Sequence, residues 1–174
     1  MRRIRYSVAA SLDGYIAGPN GEADWIIMDP DIDFGSINDE FDTFLLGRRT
    51  FDGIPKGGDQ TPGIRTLVFS NSLEQRDFPN VTMVREETAR EVLTELKQQK
   101  GKDIWLFGGG QLFRSLLRLG VVDAVSVAIM PVLLGGGIAL FPAPAERAKL
   151  RLTKHHVYPK SGIVALDYEV INDS

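Results

Sequence analysis

Residues Asp103 to Leu117 read DIWLFGGGQLFRSLL. A short apolar run ends in three glycines, Gly108 to Gly110. Leu112, Phe113, Leu116 and Leu117 then recur at helical spacing. The pattern predicts a buried strand that passes through a bare-backbone turn straight into the N-terminus of a helix. Such a turn leaves backbone N–H groups unshielded at the positive end of a helix dipole, which suits a phosphate. Glycine fits because a Cβ would obstruct close approach or a positive φ. Tight packing of strand on helix accounts for the same glycines, so the rest of the chain has to decide.

Working outward, strands and helices alternate. Arg3–Ala10 is predicted as the first strand, and Ser11–Pro30, rich in glycine and aspartate, as a long loop. Asp33–Phe41 is a weak helix, Thr43–Leu46 a short apolar strand and Arg49–Ile54 a short helix. Arg65–Phe69 and Val81–Val84 are further strands. Thr88 is predicted to cap a helix running to about Lys100, with Glu91 as capping-box partner and Val92, Leu93 and Leu96 as the buried stripe. After the Asp103 strand and its helix come a strand at Ala124–Ile129 and a loop holding a second glycine triplet, Gly135–Gly137. Leu150–Tyr158 and Ile163–Ile171 flank Pro-Lys-Ser-Gly, a hairpin signal. Parallel βα units closed by an antiparallel hairpin make a mixed α/β sheet. No linker, repeat or low-complexity stretch interrupts the chain, so residues 1–174 are expected to form one domain.

Composition narrows the function classes. The 174 residues are 43% hydrophobic and 25% charged, as in globular proteins. A net charge of −3 gives no overall case for nucleic acid. No apolar run approaches the roughly 20 residues of a membrane span. Basic residues before a brief apolar stretch mimic a secretory leader, but Asp13 interrupts it and a first strand reads better. Without cysteine, disulfides, thiolate metal sites and cysteine nucleophiles are excluded, and the cytoplasm is the default compartment.

Two more turns follow apolar strands. In LLGRRTF, Gly47 ends a strand and Thr50 sits just inside a helix start. Arg48 and Arg49 add charge and forked donors for a phosphate. In LVFSNS, Ser70, Asn71 and Ser72 crowd donors at a strand end. A solvated helix and an ordinary polar turn are the plainer readings of each. Three donor-rich turns at carboxyl strand ends suggest an extended, multiply anionic ligand such as a dinucleotide. The glycine spacing does not match G-x-G-x-x-G, so a different mode of holding it is implied.

With their flanking residues these motifs resemble the dihydrofolate reductase superfamily over nearly the full length. The likeness is strongest to the reductase domain of bacterial riboflavin biosynthesis and its stand-alone relatives. VAASLDGYIAGPNGEADW resembles the family's first strand and active-site loop, LLGRRTF its cofactor-binding turn, and LVFSNS the strand end that meets the adenosine 2′-phosphate. IWLFGGGQLF resembles its Gly-Gly turn, and PVLLGGGIALF is characteristic of the riboflavin branch. The resemblance implies a three-layer sandwich with helices on both faces of a mixed, mostly parallel sheet, and NADPH as hydride donor. Gly47, Arg48, Arg49 and Thr50 would hold phosphates. Ser70, Asn71 and Ser72 would line the adenosine end. Phe107, Gly108, Gly109, Gly110, Gln111 and Leu112 would support the pyrophosphate and nicotinamide. Ala10 and Ile16 would lie against the nicotinamide, with the backbone of Ala10 near its carboxamide. The resemblance further implies a cis Gly108–Gly109 bond and a homodimer, in which the exposed-looking LLGGGIALFP and the hairpin would take part.

On the substrate side, Asp31 is the nearest counterpart, by spacing from Trp25 and Gly47, of the carboxylate folate reductases use, and as the catalytic candidate it would anchor a pterin- or pyrimidine-like ring and help proton delivery. Asp33 is a rival, and loop solvation or helix capping is the plainer role for both. Asp13 fits turn formation as well as chemistry. His155 and His156 fall on opposite faces of a strand, with no further ligands to make a metal site. Trp25 reads as a loop anchor and Trp105 as core. The leading reading is an NADPH-dependent reductase of a pterin-, pyrimidine- or related heterocyclic substrate, similar to 5-amino-6-(5-phosphoribosylamino)uracil reductase or dihydrofolate reductase. The alternatives are a non-catalytic nucleotide-binding protein on the same fold and a phosphate-ester-binding protein.

Overall fold

The computed structural model describes residues 1–54 and 62–171. Its strands are Ile4–Ser11 (β1), Tyr15–Ala17 (β2), Phe41–Gly47 (β3), Arg65–Phe69 (β4), Thr82–Val84 (β5), Asp103–Gly108 (β6), Ala124–Met130 (β7), Ile138–Ala139 (β8), Lys149–Tyr158 (β9) and Ile163–Ile171 (β10). Its α-helices are Phe34–Asp39 (α1), Arg48–Asp52 (α2), Ala89–Gln98 (α3) and Gly110–Arg118 (α4). Eight strands form one sheet in the order β5-β4-β3-β6-β1-β7-β10-β9, and β2 pairs with β8 apart from it. The strands from β5 to β7 run parallel, while β10 is antiparallel to both β7 and β9. This is the α/β, dihydrofolate reductase-like arrangement with its C-terminal hairpin.

Strand alternation sends one set of side chains to each face. Ile4, Tyr6 and Ala10 of β1 join Leu45, Leu67, Ile104, Leu106, Val125 and Val127 in the main core. Leu93 and Leu96 of α3 and Phe113 and Leu116 of α4 close that core from above. On the other face Leu46 and Val68 pack with Phe51 of α2 and Val81. Beyond α2 that second face is thinly covered. Helix α1 buries no residue, and Ser7, Ala9, Ser126, Ala128, Ala165 and Asp167 are only half-buried although β1, β7 and β10 are interior strands.

Several local expectations change. Asp33 stands outside α1 as its N-cap, its carboxylate accepting from the Ser36 amide at 3.0 Å. Thr88 makes no side-chain cap to α3, because Glu86–Thr88 forms a 3-10 turn and the Thr88 hydroxyl donates back to the Arg85 carbonyl. The long loop after β1 contains β2, whose partner β8 lies far along the chain. Trp105 is half-buried on the second face rather than in the core. There it meets Phe41, Phe44 and Phe107 with ring centroids 5.0, 5.5 and 5.2 Å away.

Candidate functional site

Topology opens the site. The chain runs outward from β1 to β3, β4 and β5, then returns to lay β6 between β3 and β1. The β1–β6 ladder pairs Ile4–Tyr6 with Ile104–Leu106, whereas the β1–β7 ladder continues to Ser11 and Met130. Past Tyr6 the two central strands therefore part. A crevice at the carboxyl ends of strands, where strand order reverses, is where open α/β sheets bind ligands. A cleft of about 2000 Å³ runs from it toward α2 on one side and across the second sheet face on the other.

All three donor-rich turns reach this cleft. Arg48 Nη1 donates to Ser72 Oγ at 2.5 Å, tying the first turn to the second, and its Nε lies 3.3 Å from Asp52 Oδ2. Arg49 is exposed. The first and third turns are in contact: a Cβ on Gly47 would lie 3.6 Å from the Gly108 carbonyl, and one on Gly108 or Gly109 would lie 3.4 or 3.6 Å from Thr50 Oγ1. The Gly108–Gly109 bond is cis. The first bond of α4 runs from the Phe113 amide to the Gly109 carbonyl, so the amides of Gly110, Gln111 and Leu112 have no partner within the helix. Gly110 also has a packing role: a Cβ there would sit 2.4 Å from the Ala139 carbonyl.

The second turn divides its labour. Ser70 is buried, and its hydroxyl accepts from the amides of Ser72 and Leu73, which shapes the turn. Asn71 is held by Glu86, accepting from the Glu86 amide and donating to its carboxylate. Ser72, exposed like Asn71, is the member that meets Arg48. Ile16 lines the cleft, but Ala10 is 1% exposed and points into the core. Ala9, one residue earlier, presents its side chain to the cleft. The alternation of Ile4, Tyr6 and Val8 with Arg5 and Ser7 along β1 separates the two faces and puts Ala9 on the cleft side.

Asp31 lies at the mouth of the cleft. Its side chain is 50% exposed and its carboxylate is 2.9 Å from Lys160 Nζ. Five carboxylates line the cleft: Asp31, Asp33, Glu40, Glu86 and Asp167. Asp33 caps α1, Glu40 pairs with Arg5, and Glu86 holds Asn71. Among the described residues Asp167 alone of the five has no hydrogen bond or ion pair through its carboxylate. Sequence reasoning passed it over, since one acid in an alternating strand carries no signal of what covers it. His156 faces the cleft beside Tyr158, with ring centroids 4.5 Å apart.

The loop between β1 and α1 is fastened through its own acids. Asp13 accepts from the amides of Leu134 and Gly135 at 3.1 and 2.8 Å, a turn-holding role. The Ser11 hydroxyl and these amides hold the Asp13 carboxyl below its ordinary range. Asn20 does the same for Glu22, and Trp25 Nε1 donates to the Glu22 carbonyl at 3.1 Å. At the loop's end Asp29 is buried beside the hairpin turn, its carboxyl held low by the Ser161 hydroxyl and the Asp31 amide. Among the described residues no three metal-ligating side chains cluster, and no helix is long and apolar enough to cross a membrane.

Comparison with known proteins gives a consistent picture. The family model described as RibD C-terminal domain matches residues 2–164. An uncharacterized protein of Bacillus subtilis, YyaP, is 37% identical over 180 residues, covering 96% of this chain and 94% of that protein. A putative riboflavin biosynthesis protein from a Shewanella species superposes with a TM-score of 0.79 at 25% identity, over 99% of this chain and 100% of the other. Dihydrofolate reductase from Enterococcus faecalis, solved with NADP(H), superposes with a TM-score of 0.65 at 21% identity, over 97% and 94% of the two chains.

Proposed function

The chain belongs to the RibD C-terminal domain family, and from that premise we propose that it is an NADPH-dependent reductase of a flat, pterin- or pyrimidine-like heterocycle. The observation that carries this reading is the meeting of three donor-rich turns at the crevice where β1 and β6 part. The cradle fits a dinucleotide. Gly47, Gly108 and Gly109 present bare backbone with no side chain between them, and the free amides at the start of α4 face a phosphate's natural position. Arg48, Arg49, Thr50 and Ser72 would hold the phosphates of the adenosine half. Ser70 and Asn71 would keep that turn in shape. Gly108 to Leu112 would take the pyrophosphate, with Ile16, Phe107 and Ala9 around the nicotinamide.

NADPH bound there supplies a hydride, and the protein supplies placement. The aromatic wall of Phe44, Trp105 and Phe107 would offer a stacking surface to a planar ring, with Phe107 42% exposed. The Asp13, Glu22 and Asp29 contacts would keep the loop between β1 and α1 over the crevice, and the Asp31–Lys160 pair would hold its end against the hairpin. Fluorescence titration with NADPH and NADH tests the reading. Saturable quenching with tighter binding of NADPH is the expected result. Absence of binding by either cofactor would refute it.

We also propose a homodimer. Strand β9 is an edge strand of ten residues, and Leu150, Leu152 and Val157 on it are 42–53% exposed. Long exposed edges of this kind invite pairing. A dimeric mass by light scattering is expected, and a monomeric mass at micromolar concentration would count against it.

A further inference from the structure

The second sheet face carries a row of polar side chains that the proposed cofactor site leaves unused. The register places Ser7 opposite Ser126, Ser126 opposite Asp167, and Asp167 opposite Lys154, so the four stand side by side across β1, β7, β10 and β9. The next row is Ala9, Ala128, Ala165 and His156, three small residues that lower the floor beside the polar row. All eight line the cleft. Directly opposite residues share a face and lie close enough to pair. Nevertheless Lys154 makes no ion pair with Asp167, and among the described residues the side chains of Ser7, Ser126 and Asp167 make no hydrogen bond, although the Ser7 and Asp167 carbonyls accept from Trp105 Nε1 and Thr153 Oγ1. A half-buried carboxylate on an interior strand costs free energy unless something satisfies it. The other four carboxylates of the cleft already have partners, as described above.

We propose that Asp167 is the substrate anchor, and that it takes the edge of a heterocycle carrying two adjacent N–H donors, an amidine or guanidine-like edge. This rests on the reductase reading and deepens it by naming the substrate's recognised group. A carboxylate accepts such a paired edge in the forked geometry it uses with arginine. The position also sets a length. Strands lie about 4.8 Å apart, so Asp167, two strands from β1, stands roughly 10 Å from the crevice where the nicotinamide would sit. A single six-membered ring and one hydrogen bond fall short of that span, whereas a fused two-ring system, lying over Ala9 and Ala128 with its far edge on Asp167, covers it. Ser126 flanks that edge, and Lys154 and His156 lie beyond it for a substituent.

The test uses two pteridines as probes and the intact protein. 2-Amino-4(3H)-pteridinone presents the paired donor edge through its N3–H and 2-amino group, and pteridine-2,4-dione presents a carbonyl in place of that amino donor. Binding is read by calorimetry, with NADPH affinity measured separately. The wild-type protein is expected to favour the amino compound about tenfold or more, and Asp167→Asn to remove about that much, as the loss of a charged hydrogen bond would. Asp39→Asn, exposed on α1 and outside the cleft lining, is expected to stay within about twofold, as exposed substitutions do. Equal binding of the two pteridines, binding of neither, or an Asp167→Asn protein that keeps its preference would overturn the proposal. The wild-type comparison needs no variant, so an unfolded Asp167→Asn protein does not shelter the idea. Failure of NADPH to bind, with the pteridine preference intact, would instead refute the reductase reading and leave the Asp167 assignment standing.

Discussion

Gly110→Ala isolates what holds the α4 end of the proposed cofactor cradle in place. An added Cβ would meet the Ala139 carbonyl at 2.4 Å, Pro142 Cδ at 2.9 Å and the Leu140 carbonyl at 3.0 Å. Two of these are backbone atoms, and a side-chain rotation cannot relieve them. The strap that carries them is fixed to α4 elsewhere. Phe113 and Phe141 have ring centroids 5.6 Å apart, and Arg114 Nη1 donates to the Pro144 carbonyl at 3.2 Å. The strap or the helix start must therefore shift by about an ångström. Overpacking of this kind costs about 1–3 kcal/mol. The gain in helix propensity, about 1 kcal/mol in a helix interior, is smaller at the first helical residue. A net loss of about 1–2 kcal/mol lowers Tm by roughly 2–8 °C for a chain of this size. Gly136→Ala is the control: its Cβ meets nothing within 4 Å and its φ is ordinary, so stability should hold within about 0.5 kcal/mol. Thermal unfolding by circular dichroism, run beside an NADPH titration, reads both effects. An unchanged Tm in Gly110→Ala would refute the packing argument.

Other expectations follow from the same geometry. Replacing both Arg48 and Arg49 by alanine should weaken NADPH more than NADH, because charge-assisted bonds to the extra phosphate are lost; equal losses in a calorimetric comparison would remove the 2′-phosphate from this turn. The Tyr6 hydroxyl is buried with no hydrogen-bond partner, and burial pushes its pKa well up. Tyr6→Phe should therefore stabilise the fold by about 1 kcal/mol or leave it unchanged in denaturant melts, and a clear destabilisation would show a bond to that hydroxyl. Asp13, Glu22 and Asp29 titrate below their ordinary values of 3.8, 4.5 and 3.8, so what they contribute is present above those values and fades as pH falls through the lower folded ones. Trp25 fluorescence in a Trp105→Phe background should hold steady from neutral pH to about the ordinary carboxylate range and change only in more acid solution. A transition centred near neutral pH would contradict this.

The sequence carried the strands well where apolar runs were continuous and flanked by glycine or polar turns, as at Leu106, Leu67 and Val127. Local signals failed where the deciding contact lies far away. Strand β2 has three residues and exists through β8, more than a hundred positions later, so no local pattern announces it. Thr88 followed by Glu91 is a sound cap signal, but the turn begun at Glu86 takes the backbone into the helix before Thr88 is reached. The site shows the same division. Glycines and arginines at strand ends were legible because the turn chemistry is local. Placing the Ala9 side chain in the cleft and the Ala10 side chain in the core required strand parity, which the alternation of Ile4 and Tyr6 with Arg5 and Ser7 carries. Asp167 required knowing that no long helix lies over its face, which follows from α1 spanning only Phe34–Asp39.

The central claim is where the cofactor sits, and backbone amide chemical shifts recorded during an NADPH titration test it most directly. The expected perturbations fall on Gly47 to Thr50, on Ser72, and on Gly108 to Leu112, with smaller ones at Ala9 and Ile16 and none at Arg2, Asp42 or Lys97 at the opposite end of the sheet. Shifts confined to other surfaces, or none at saturating NADPH, would contradict the account.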